Sequence, residues 1–516
     1  MKRFKYIKIA LVSSLIALSS CDDKLDEPME LDAGSSYDYS STEGAKGAVM
    51  GAYATLSGQK LNDNGGYDDT GLGWEQIPLI SVRGDDVNAG GKGDQAPFTD
   101  TDRFAYDRSY WMYNSLWEIW YQRIVQVTAQ MDQLEKFRSG GVNSQLIDQY
   151  IAECKTLRAF YTLEISRVWG KVIVMEELDQ SKLTLRSKDD VMSWISSQMD
   201  QAIPSLLDMR PNQRTDIKGG VTKYTALAIK AMANLELKNY QGVADATGAI
   251  INSGKFTLYS DYYELFKTPG KLADENLLEI QYSDFGVGTG NNVKHLWDFY
   301  GPTSWTPSVT GAGAGWGFYE PSLKYIKFML SRNEQKRLVT NVLFTPDGIS
   351  KIKEDPNFAT LPTWVSNVTP DNDQINNSAR ALFFSGKHYL PSNQLIPGRL
   401  SYGSNKNYII TRYAEILLMY AEAVARGASP SAGSAVNAVN IVRNRAGLSS
   451  LTSVTADQVM DEKFAELGME WGIRYFDMVR LGNTAALSYD GRNFTMDKQF
   501  LPYPLAQLEK IQALDK

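Results

Sequence analysis

Apolar residues recur every three or four positions over long stretches of this chain, at 116–137, 145–169, 191–207, 222–237, 240–251, 409–425, 435–445 and 457–479. That spacing puts one apolar stripe on a helix, so each stretch is predicted to be helical. In 409–425 the stripe runs through Ile410, Tyr413, Ala414, Leu417, Leu418, Ala421 and Val424; in 457–479 it runs through Met460, Phe464, Leu467, Trp471, Tyr475 and Val479. The runs 277–282 and 407–411 are too short for that rhythm and predict extended segments, a minor β component in a mainly α fold.

The helices come in short pairs. Segment 225–246, with small residues where two helices must approach and Tyr240 opening the second, resembles a degenerate tetratricopeptide unit, as does 412–445. The expected architecture is therefore a tetratricopeptide-like helical scaffold. Between the helices, 62–101 and 283–322 are rich in Gly, Asn, Asp, Ser and Pro yet carry Trp74, Trp297, Trp305, Trp316, Tyr300, Phe318 and Tyr319. Loops of that length are uncommon unless functional or disordered, and disordered segments are poor in aromatics. They are expected to be ordered surface loops that carry function.

The first residues change the picture of where the chain resides. Lys2, Arg3, Lys5 and Lys8 precede the apolar run 9–18, then Ser19, Ser20 and Cys21, the anatomy of a secretory signal. The run is too short for a mature membrane span, and Leu18-Ser-Ser-Cys21 resembles a bacterial lipobox whose cysteine is acylated and becomes the first residue. Cys154, in a helical pattern, is then left without a partner for a disulfide and is expected to be buried as a small apolar residue. The net charge of −7, without blocks of Lys and Arg, argues against nucleic acid as the main partner. His295 and His388 have no metal-ligand spacing around them, so no metal or cofactor is called for.

Several blocks then converge. The lipobox is followed by Asp22 and Asp23; 150–170 contains Ala152-Glu153, Leu157-Arg158-Ala159-Phe160 and Trp169-Gly170; 412–423 is followed by Val442-Arg-Asn-Arg-Ala-Gly447. Glu466-Leu467, Glu470, Arg474 and Phe476-Asp477-Met478-Val479-Arg480 come next, and Leu501-Pro-Tyr-Pro-Leu505 closes the series. Together, and in this order, they resemble the SusD/RagB family of outer-membrane lipoproteins that capture nutrients for TonB-dependent transporters. At helical spacings, Glu466, Glu470, Arg474, Asp477 and Arg480 are read as a partly buried ion-pair ladder rather than catalytic groups.

The resemblance implies a signal peptide at 1–20, an acidic tether at 21–40, an N-terminal helical region at 41–270 and a C-terminal region at 271–516 with an aromatic loop insertion at 283–322. It further implies a non-enzymatic protein of the outer membrane, held by lipid on Cys21 and facing the exterior, that binds glycan and hands it to a barrel-shaped transporter. Capture of peptides or protein fragments on the same scaffold is the alternative, and a surface glycoside hydrolase a more distant one. A pyranose ring offers apolar C–H faces and a hydroxyl rim, so a pocket needs flat aromatics beside hydrogen-bonding side chains. Asn64, Tyr67, Trp74 and Asp85 in the first loop, and Trp297, Asp298, Tyr300, Trp305 and Trp316 in the second, are the candidate ligand-binding residues. Trp111, Trp117, Trp120, Trp169 and Trp471, on helices, are expected in the core.

Overall fold

The computed structural model of the protein describes residues 38–57, 59–61, 67–69, 76–91, 95–179, 184–282, 300–396, 404–511 and 514. Cys21 and the segment around it lie outside these residues.

The chain opens with α1 (Thr42–Ser57), the hairpin β1 (Gln59–Leu61) and β2 (Tyr67–Asp69), α2 (Gln76–Ser81), β3 (Val87–Ala89) and α3 (Ala96–Asp102). Two long helices follow, α4 (Trp111–Ser139) and α5 (Ser144–Trp169), then β4 (Val172–Val174), β5 (Thr184–Arg186), α6 (Lys188–Ala202), α7 (Lys223–Glu236), α8 (Tyr240–Asn252) and α9 (Tyr262–Leu265). The loop-rich middle contains β6 (Asn276–Ile280), β7 (Trp305–Thr306), β8 (Tyr319–Pro321), α10 (Leu323–Ser331), α11 (Gln335–Asn341), β9 (Val342–Phe344), α12 (Pro346–Lys353), β10 (Gln374–Ile375) and β11 (Phe383–Ser385). The last part is β12 (Tyr408–Arg412), α13 (Tyr413–Ala425), α14 (Ala435–Arg445), α15 (Ala456–Leu467), α16 (Ile473–Leu481) and α17 (Leu505–Lys510).

Helix packs on helix in sequence order from α4 through α8, and α13 then docks on α8 and receives α14 and α15. The result is a mainly helical scaffold, as the periodicity predicts. Local chemistry sets many of the boundaries. The Asn143 side chain accepts from Leu146 N at 3.1 Å to start α5, Ser187 caps α6, and Gly170 leaves α5 at φ +76°. The strands form two-stranded antiparallel pairs, among them β12 with β6, so both predicted extended segments form and lie against each other.

Three expectations need correction. The stripe at 409–425 is not one helix, because 408–412 pairs with β6 and the helix starts only at Tyr413. The helix predicted at 191–207 starts at Lys188 and gives way at Ala202 to a 3-10 turn containing Pro204, whose missing N–H ends the regular ladder. The stretch 457–479 breaks between α15 and α16, where Met469, Trp471 and Gly472 all take positive φ. Distant partners hold that break: Met469 N donates to the Asp86 carboxylate at 2.5 Å, Lys387 Nζ donates to the carbonyls of Glu466 and Gly468, and Trp471 Nε1 donates to Glu164 at 2.7 Å.

Charge is buried throughout the C-terminal half. Arg412 bridges Glu275, Glu466 and Glu470; Arg337 bridges Glu334, Glu462 and Glu466; Arg445 reaches Glu275 and Glu466. Burial alone would raise the Glu466 carboxyl, but Arg445, Arg412 and Arg337 outweigh it and hold it well below the usual carboxylate range. Asp477 and Arg480 join Glu422 and Lys463 in a second buried cluster. The ladder read from helical spacing is thus an ion-pair system, though its partners come mostly from other elements. Cys154 is buried, and burial pushes its thiol up, away from reactivity. Trp117, Trp120, Trp169 and Trp471 are core residues; Trp111 is instead 52% exposed, at the first turn of α4.

Candidate functional site: an aromatic face on the 300–321 insertion

The insertion after Tyr300 doubles back on itself through a Gly-rich run. At Gly315 a β-carbon would fall 2.4 Å from the Cα of Gly301, and at Gly317, φ +64°, it would meet the Phe384 ring at 2.6 Å and Thr303 Cγ2 at 2.9 Å. Glycine is required at both positions because two backbone segments and a ring share the space. The consequence is to place Trp316 on the surface. It is 36% exposed, edge-on to Phe318 at 6.1 Å, and its carbonyl accepts from Arg380 Nε at 3.1 Å.

Arg380 closes the arrangement from the other side. Its guanidinium stacks 4.8 Å above the Phe318 ring, and Ser378, two residues earlier, is 2.5 Å from the Thr303 hydroxyl. Thr303 is the residue that touches Gly317, so Trp305 and Trp316 flank one contact of the loop with itself. Trp305 is half-buried in β7, which pairs with β10, and meets Tyr389 edge-on at 6.2 Å. Below it the buried Asp373 carboxylate accepts from Ser308 N at 2.7 Å, Ser392 N at 2.9 Å, Ser392 Oγ at 2.6 Å and the Tyr389 hydroxyl. This carboxylate fixes the loop to the 373–392 segment, so the tryptophans stand on a rigid base. Asn376 donates to Thr306 Oγ1 at 3.1 Å, and with Gln374 and Arg380 supplies a polar rim; Asn377 beside them is bound through its amide to Asp347.

The predicted site residues divide. Trp305 and Trp316 lie on the two segments that meet where Thr303 approaches Gly317. Tyr300 is instead buried, stacked on His388 with ring centroids 4.2 Å apart and edge-on to Tyr319. Asp85 is also withdrawn from any ligand. It is fully buried, bound by Arg474 at 2.6 Å and Lys324 at 2.8 Å, and although burial works against it, those cations keep its carboxyl below the ordinary range. Charge pairing, not ligand contact, accounts for an acid at this position. Asn64, Trp74, Trp297 and Asp298 lie outside the described residues; Tyr67 falls in β2 opposite Leu61, and its side chain is not among those described.

Arg380, Ser378 and Thr303 were not legible as site residues. Arg380 lies in 376–381, Asn-Asn-Ser-Ala-Arg-Ala, which has no periodicity and sits far along the chain from Trp316. Only the fold brings them together. No cluster of three or more His, Cys, Asp or Glu side chains suited to a metal occurs among the described residues.

Residues 275–507 match the SusD family. The chain is 24% identical to the SusD-like protein P2 of Formosa agariphila over 92% of its own length and 91% of that protein, and 24% identical to a SusD-like protein of Bacteroides ovatus over 70% of its length and 64% of that protein. Among solved structures it resembles surface glycan-binding protein A from Bacteroides uniformis (22% identity, TM-score 0.74, covering 92% of this chain and 98% of that one). The corresponding protein from Bacteroides thetaiotaomicron, solved in complex with laminarihexaose, superposes with a TM-score of 0.73 at 22% identity and the same coverage.

Proposed function

We propose that this chain, whose residues 275–507 match the SusD family, is a non-catalytic cell-surface lipoprotein that binds a polysaccharide or oligosaccharide and delivers it to a TonB-dependent outer-membrane transporter. The observation that carries the glycan reading is the Trp316 face. It is an exposed indole on a glycine-enforced turn, fixed by Arg380 and rimmed by Asn, Gln, Ser and Thr side chains. A sugar ring would stack on the indole while its hydroxyls take hydrogen bonds from the rim. That the related surface glycan-binding protein from Bacteroides thetaiotaomicron holds laminarihexaose on the same fold supports the same ligand class here. Lipid on Cys21 would hold the protein at the outer membrane, beside its transporter.

The test is isothermal titration of purified protein against a panel of polysaccharides and, separately, of peptides. Binding of at least one glycan is expected, and Trp316→Ala is expected to weaken it by ~1 kcal/mol or more, about fivefold, with little change in thermal unfolding. Peptide binding without any glycan signal would replace this reading with peptide capture. Release of reducing sugar by the purified protein would replace it with hydrolysis.

A further inference from the structure

A second cavity lies away from the Trp316 face. It is an open cleft of about 890 Å³ between the segment leading into α4 and the stretch 497–503 before α17. That size falls within the range of small-molecule sites, about 300–1,000 Å³. Its walls are built from aromatic rings whose polar ends are already spoken for. Tyr106 donates its hydroxyl to Lys498 O at 3.1 Å, Tyr503 donates to Lys171 O at 2.8 Å, and Tyr110 donates to the Asp100 carboxylate. What these tyrosines offer the cleft is ring surface.

The walls are also stitched in place. Leu501 N donates to Val168 O at 2.9 Å, Leu505 N donates to Arg108 O at 3.0 Å, and the indole of Trp169, at the base, donates to Pro502 O at 3.2 Å. Such a cleft needs little reordering to bind, which favours affinity. Charge of both signs lies on its rim. Arg108 is exposed, and its guanidinium makes no hydrogen bond or ion pair with any described residue. Asp107 spends one carboxylate oxygen on Ser109 N and Oγ, at 2.8 and 2.7 Å. Asp107 and Asp497 disfavour an anion and Arg108 and Lys498 disfavour a cation, while fixed rings beside both donors and acceptors suit a neutral polyol with flat apolar faces.

We propose that this cleft is a second saccharide-binding subsite, separate from the Trp316 face. The two lie on either side of one short helix. On α3, Phe98 packs against Phe318, two residues from Trp316, at 6.2 Å between centroids, while Asp100 lines the cleft. A helix with its side chains is about 10–12 Å across, a step that a few sugar units span, so a single glycan chain can occupy both sites and gain from the linkage. The ligand class rests on the glycan reading given above; the cleft's geometry does not.

Laminarihexaose and a panel of neutral polysaccharides are the probes, read by titration and by hydroxyl-radical footprinting of the full-length protein. Wherever wild type binds a glycan, that glycan is expected to protect Tyr106, Tyr110 and Tyr503, and Arg108→Ala is expected to weaken binding three- to tenfold. Tyr110→Ala, with its unfolding temperature measured alongside, provides a second variant. Unprotected cleft tyrosines, with wild-type affinity in Arg108→Ala and loss confined to Trp316→Ala, would overturn the subsite and leave the glycan reading standing. A wild-type protein that binds none of the panel would overturn both.

Discussion

Glu466 and Glu279 are both inaccessible carboxylates, and their surroundings give them opposite behaviour. Glu466 is held ionised by three arginines, and removing its charge leaves those guanidinium groups uncompensated in the interior. Breaking a buried pair of this kind costs about 3–5 kcal/mol, so Glu466→Ala is expected to lose that much in urea unfolding at pH 7. Replacing an exposed pair such as Lys351 with Glu354 should cost less than about 1 kcal/mol in the same assay. No arginine pairs with Glu279 among the described residues, and Lys271 is the smallest of the influences that oppose its burial. Burial, only partly opposed by hydrogen bonds from Leu272 N at 2.9 Å and Asn276 Nδ2 at 2.8 Å, raises its carboxyl to about 8. Since an unfolded glutamate titrates near 4.3, the native state binds the extra proton between those values, and stability from this group falls as pH rises through that window. Glu279→Gln should flatten the slope, by up to ~1 kcal/mol per pH unit, when unfolding free energy is followed from pH 5 to 8. An unchanged slope would show that the carboxyl is already ionised at pH 5.

At the scale of elements, the sequence carried the helices that stand on local periodicity and lost the places where distant groups override it. The stripe from Tyr413 to Val424 is a real helix, and the predicted extended runs are β6 and β12. The break between α15 and α16 has no local cause as strong as its tertiary ones, because Asp86, Lys387 and Glu164, which hold it, are far away in the chain. Gly472 and Gly482 separate the two contributions. Both are left-handed, at φ +72° and +73°, but a β-carbon on Gly472 would sit 2.8 Å from Ile80 Cγ2 and 3.1 Å from the Ile80 carbonyl, whereas around Gly482 nothing lies within 4 Å. Gly482→Ala should therefore cost only the backbone strain, ~1 kcal/mol, and Gly472→Ala measurably more. Equal losses in thermal unfolding would mean that α2 gives way freely and does not clamp the break.

For the whole molecule, the proposed function assigns recognition and retention to separate parts. Aromatic enrichment in a long polar loop made Trp305 and Trp316 visible in the sequence, and that is sound chemistry: rings in a loop either plug the core or face a ligand. Composition does not say which, and Tyr300 and Asp85 lie in the same loops yet face inward, Tyr300 onto His388 and Asp85 onto Arg474. Trp305 is half-buried against Tyr389, so if it also meets the glycan, Trp305→Ala is expected to lower unfolding temperature as well as affinity, unlike Trp316→Ala. The proposed anchor at Cys21 lies apart in the sequence from the residues of either proposed site. If acyl chains on Cys21 retain the protein at the membrane, their effect is on the concentration of binding sites beside a transporter and not on the affinity of any one site. Cys21→Ala should then move the protein from the membrane pellet to the soluble fraction, while titration of the purified variant gives the same glycan affinity as wild type. A variant that stays in the pellet would assign retention to the folded body, and one that leaves it with weakened affinity would tie the amino terminus to the binding face.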